Sequence, residues 1–184
     1  MADLSRRQML GGTALTATAA IAAPFVSRPV RAEKSAYPPR SYPVPVVDLV
    51  REALVIDMLH PIKIDEGPVP MTEKLATEYR TSGITGMLHG VGLGGPDARD
   101  QVLAFYVMWG HYMTVNAHVF AGVDKMADIV RAKRDGKCAV IMGMQNSDHF
   151  AKAEDVAFFH KLGQRVSQLT YNTRNMIGNG STER

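Results

Sequence analysis

Gly90-x-Gly92-x-Gly94-Gly95 is a stretch whose residue types could do chemistry. It follows an apolar run and precedes a helical pattern, where successive backbone N–H groups could cradle a phosphate. No acidic partner stands at the distance a dinucleotide site needs, so a βα loop is the favoured reading. His111 and His118 lie seven residues apart beside Trp109 and Met113, and they read as the edge of a core rather than as metal ligands. Cys138 is the single cysteine, between Lys137 and the apolar Ala139-Val140-Ile141. That setting suits a buried, inert thiol, and one cysteine can form no internal disulfide. Asp148 and His149 sit just past an apolar run, where a strand would end. No His-Glu-x-x-His, Gly-x-Ser-x-Gly or Cys-x-x-Cys is present, which removes three common catalytic frameworks.

These residues need elements to position them. Apolar runs of strand length span 53–58, 84–89, 138–144 and 165–170, rich in Val, Ile, Leu and Met as in strands buried on both faces. Amphipathic stretches between them predict helices over 72–82, 97–116, 123–135 and 154–161. Thr72 supplies an N-cap, and Gly83, Gly136 and Gly163 follow three of the four ends. The basic residues from Arg131 to Lys137 could form an anion patch, but at a helix C-terminus they complement the dipole. Strand–helix alternation implies a parallel α/β sheet with helical crossovers. Four β/α units fit from residue 53 onward. A closed (β/α)₈ barrel needs about 250 residues, so the chain matches half of one or a small doubly wound sheet.

The chain has 184 residues, 46% hydrophobic and 21% charged, which excludes disorder, collagen and a polytopic membrane protein. Its pI near 9.1 would suit an anionic partner. Location of the charges removes that suggestion. Residues 1–32 hold four of the 21 basic residues and one of the 18 acidic ones, so the remainder is formally neutral. Nucleic acid is therefore not an expected partner. Ser5-Arg6-Arg7-Gln8-Met9-Leu10 reads as a twin-arginine export motif, followed by an uncharged stretch and the cleavage-like Val30-Arg31-Ala32. The stretch is too short and too rich in Gly, Ala and Thr to make a stable transmembrane segment. Residues 1–32 thus read as a signal for the twin-arginine export machinery and a periplasmic location. Residues 33–45 read as an extended Pro-rich leader without helix.

The most specific pattern is the last. A helix ending in Leu162-Gly163 leads to Arg165-x-x-x-Leu169-Thr170-Tyr171-Asn172, then Asn175-x-x-Gly178-x-Gly180-x-x-Glu183-Arg184. It closely resembles the membrane dipeptidase family (peptidase M19), and its bacterial branch in particular. Upstream, Ala53-Leu54-Val55-Ile56-Asp57 looks like that family's first strand and Gly136–Gly143 like its third. The resemblance implies the N-terminal half of a metal-dependent (β/α)₈ TIM-type barrel over 46–184, with two zinc ions at the C-terminal ends of the strands. It also implies hydrolysis of dipeptides or similar small amides. Two further His ligands of the family would then lie past Arg184.

The family's ligand positions fall on Leu59 and Pro61, neither of which can bind a cation. His60 stands one residue from the expected place, which in a regular strand points it the other way. Gln145 holds the place of the bridging Glu and brings no negative charge. His60 and Gln145 are the metal candidates that remain, with Asp148 and His149 as local substitutes. The resemblance puts Tyr171 and Asn172 in substrate binding. Against metal-assisted hydrolysis stands a second expectation, a periplasmic binding or maturation protein that has lost its first metal site. A third treats the chain as a half-barrel that forms a homodimer.

Overall fold

A computed structural model describes residues 41–64 and 67–183. The expected export segment 1–32 and most of the 33–45 leader lie outside the described residues. The chain divides into Met1–Ser41 and Tyr42–Arg184, and the elements below belong to the second unit.

The first is a helix, α1 (Val44–Glu52), which overturns the extended leader at its end. Pro45 lies in the first turn, where a missing N–H breaks no intrahelical bond. Ala53 closes α1 by donating its N–H to the Leu49 carbonyl at 2.8 Å, so the expected strand over 53–58 contracts to β1 (Ile56–Asp57). α2 (Glu73–Thr81) begins where Thr72 Oγ1 accepts the Leu75 N–H at 3.3 Å. Gly83 follows at φ +83°, a left-handed conformation that glycine takes without strain. β2 (Gly86–Val91), α3 (Ala98–Val115), α4 (Met126–Arg134), β4 (Cys138–Met144) and α5 (Glu154–Lys161) follow the expected order. β5 (Gln164–Ser167) starts one residue early and stops three short, where the Gln168 N–H turns to the Met144 carbonyl.

The sequence pattern missed β3 (Phe120–Gly122), between α3 and α4. Three residues are too few to show a period.

All pairings are parallel. β1 pairs with β2, β2 with β4, and β5 with the C-terminal half of β4, while β3 pairs with the N-terminal half of that same edge. The path β1-β2-β4-β5 follows chain order, with helices at every crossover, which is the wall of a parallel β/α barrel. β3 is a short side strand on this path.

β4 shows why the wall needs two covers. Cys138, Val140, Met142 and Met144 belong to the main core, with Val102, Phe105, Trp109 and Tyr112 of α3 and Phe159 of α5. Ala139 packs instead with Ile129 and Ala132 of α4, and Ile141 lies against them. Alternation along the strand sends these sets to opposite faces. Two carboxylates fasten the helices. Asp128 accepts the Asp124 and Lys125 N–H groups, both at 2.9 Å, and pairs with Arg131. Asp155 accepts the Ala151 and Lys152 N–H groups and pairs with Arg99 of α3 at 2.7 Å. Two further basic residues of the cluster from Arg131 to Lys137 have structural partners. Lys133 donates to the Ala53 carbonyl and Arg134 pairs with Asp135.

Candidate functional site at the strand mouth

Parallel strands bring their C-terminal ends, and the loops that leave them, to one side of the sheet. Here those ends are Asp57, Val91, Met144 and Ser167. The residues past them form the candidate mouth.

Leu59 and Gln145 meet there over Gly90. A Cβ built on Gly90 would lie 3.0 Å from Leu59 Cδ1 and 3.3 Å from Gln145 Nε2. A side chain at residue 90 would therefore displace both, and glycine leaves them room. Gln145 donates its backbone N–H to the Val91 carbonyl at 2.9 Å and one side-chain N–H to the Gly90 carbonyl at 3.3 Å. Its Oε1 faces Gly92, 3.2 Å from where a Cβ would stand. Leu59 and Gln145 thus come together at this mouth as an apolar branch and an amide. Leu59 remains 56% exposed, and Pro61 is exposed beside it.

His60 does not join them. Its Nε2 lies 3.3 Å from the Tyr79 hydroxyl on α2, with the two rings edge to face. Its Nδ1 lies 3.5 Å from Asp57 Oδ2, while Asp57 Oδ1 accepts the Leu59 N–H at 3.0 Å. Its backbone N–H bonds the Leu88 carbonyl and its ring turns toward α2.

Asp148 and His149 are likewise engaged elsewhere. Asp148 Oδ2 accepts the Gly95 N–H at 2.8 Å. A Cβ on Gly94 would come within 2.8 Å of that oxygen, so the glycine loop closes around a carboxylate of its own chain rather than a phosphate. His149 is fully buried, its Nε2 3.0 Å from Gln164 Oε1, and it packs on Phe150 and Phe159. Burial lowers its pKa, favouring the neutral ring. His111 and His118 are exposed rather than core-edge residues.

Sequence reasoning gave no role to His89 on β2. It is 2% exposed, stacks on Trp109 at 4.5 Å and accepts the Ile62 N–H on Nδ1 at 2.9 Å. Burial pulls its pKa down to about 4.

Ser147 in the loop after β4 and Ser167 at the end of β5 have hydroxyls 2.9 Å apart. Beyond them the family pattern folds into a braced loop. Asn172 Oδ1 accepts the Ser181 hydroxyl at 3.0 Å, and its carbonyl accepts the Thr182 N–H at 3.1 Å. Asn175 Oδ1 accepts the Ile177 and Gly178 N–H groups at 2.8 and 3.2 Å. Gly180 presses on the Asn172 carbonyl, where a Cβ would fall 2.2 Å from the oxygen. The Asn172 side chain thus holds the loop, and the Tyr171 side chain stands exposed at its start. Among the described residues no three of His, Cys, Asp or Glu gather as a metal centre.

A family model described as membrane dipeptidase (peptidase family M19) matches residues 72–184. Among solved structures, an amidohydrolase from Pseudomonas aeruginosa aligns with TM-score 0.64 and 27% identity, over 75% of this chain and 40% of its own. The probable dipeptidase PvdM from Pseudomonas aeruginosa aligns with TM-score 0.57 and 18% identity, over 70% of this chain and 37% of its own. The chain thus spans about two fifths of the length of the solved structures it resembles. No curated protein matches it.

Proposed function

The chain belongs to the membrane dipeptidase family, and we propose that its strand mouth takes a dipeptide or a similar small amide as ligand. The observation that supports this most is the convergence of Leu59 and Gln145 over Gly90, with the loop of Tyr171 and Asn172 at the same end of the sheet. A half-buried amide beside an apolar branch suits a small ligand that carries both a peptide group and a hydrocarbon side chain.

Family membership supports a hydrolase. Zinc is the cofactor the family implies, and it would supply a polarised carbonyl and an activated water. The residues of this chain do not fit it. Leu59 and Pro61 have no donor atom, and Gln145 offers a neutral oxygen. Asp57, His60, Asp148 and His149 are all bonded elsewhere. No metal-borne hydrolytic step follows from these side chains. That observation favours a second reading, a protein that binds the small amide without cleaving it. For either reading we propose export by the twin-arginine route, on the motif at Ser5–Leu10 and the charge confined to residues 1–32.

One experiment separates the two. The purified protein is incubated with a panel of dipeptides, free amino acids are followed by chromatography, and binding is measured by calorimetry. Turnover establishes the hydrolase. Saturable binding without turnover establishes the binder, and neither would end the small-amide proposal.

A further inference from the structure

We propose that Gln145 reads the ligand directly: its carboxamide hydrogen-bonds an amide group of the ligand, which enters this side of the mouth without a divalent cation. The inference rests on the small-amide proposal and adds the residue and the chemistry of recognition.

Gln145 has the position for this role. It is half-buried at the joint C-terminal ends of β2 and β4, fixed through its backbone to Val91. One side-chain N–H is held by the Gly90 carbonyl at 3.3 Å, which sets the plane of the amide. The other N–H and Oε1 are left as a donor and acceptor pair. A carboxamide with one donor and one acceptor free complements a peptide group, which offers the same pair reversed.

The surroundings favour a neutral partner over a cation. Leu59 lies on the same spot over Gly90 and lowers the local polarity. The nearby backbone carbonyls of Gly90 and Val91 each already accept one hydrogen bond from Gln145. A dication in such a place needs carboxylates or imidazoles to repay its lost hydration. Among the described residues, four such groups at or past the strand ends face another partner: Asp57 the Leu59 N–H, His60 the Tyr79 hydroxyl, Asp148 the Gly95 N–H and His149 the Gln164 amide. A Glu at residue 145 would set a negative charge against the Gly90 carbonyl, so glutamine suits this backbone better.

The test uses the purified chain, with L-alanylglycine and zinc chloride as probes in calorimetry. Dipeptide affinity is measured in EDTA and in equimolar zinc, for the parent, Gln145→Glu and Gln145→Met. Circular dichroism confirms that each variant is folded. The expected results are equal parent affinity in both buffers, no stoichiometric zinc binding, and a loss of about tenfold or more for both variants in EDTA. Tight zinc binding by the parent, dipeptide binding that demands zinc, or unchanged affinity in both variants would each overturn the inference. Zinc-dependent binding would spare the small-amide mouth, whereas no dipeptide binding in either buffer would remove the mouth and the inference together.

Discussion

His89 is a residue whose charge the fold controls through burial. It is buried against Trp109 and Phe105, and its folded pKa falls to about 4 from an ordinary value of 6.5. Between those values the unfolded chain binds a proton that the native one refuses, so stability is complete above pH 6.5 and is lost as pH falls toward 4. The expected loss is about 3 kcal/mol at full effect, at roughly 1.4 kcal/mol per pKa unit. Urea midpoints at pH 7 and pH 5 measure it, and His89→Phe should flatten the slope. His149, also lowered by burial, acts in the same sense. Gly180 provides a second prediction at this scale. Gly180→Ala would drive a Cβ into the Asn172 carbonyl and should cost about 1–3 kcal/mol, read as a lower urea midpoint. Leu59, Pro61 and Gln145, at the places where the resemblance implies ligands, were visible in the sequence as residue types. The partners of Asp148 and His149 were not. Gly95 lies 53 residues from Asp148, and loop geometry alone decides that they meet.

At the scale of elements, Lys133 links the last turn of α4 to the Ala53 carbonyl ahead of β1, 80 residues away. Lys133→Met keeps the stem and removes the donor. It should lower stability by about 1 kcal/mol, measured by urea unfolding, and increase hydrogen exchange around residues 53–57. β4 was legible over its whole length because both its faces are buried and Gly136, at φ +67°, stops the helix before it. α1 was hidden by Pro43 and Pro45, which read as leader although a first turn tolerates proline. β3 was hidden by its three-residue length, and β5 ends at Ser167, three residues before the apolar run does.

At the scale of the molecule, strand–helix alternation was enough to specify a parallel α/β wall, since crossovers between parallel strands must pass through a covering layer. Charge location was equally legible. If residues 1–32 are removed on export, the product loses four basic residues and one acidic one. It should therefore focus near neutrality rather than near pI 9.1. What composition could not show is which end of the sheet receives the ligand, and the central claim rests on that. Amide chemical shifts of the labelled protein, recorded during titration with L-alanylglycine, test it most directly. The account predicts shifts at Gly90, Gly92, Gln145 and Tyr171 that saturate together. Shifts confined to Val50, Gly83 and Gly136, at the opposite ends of the strands, would contradict it.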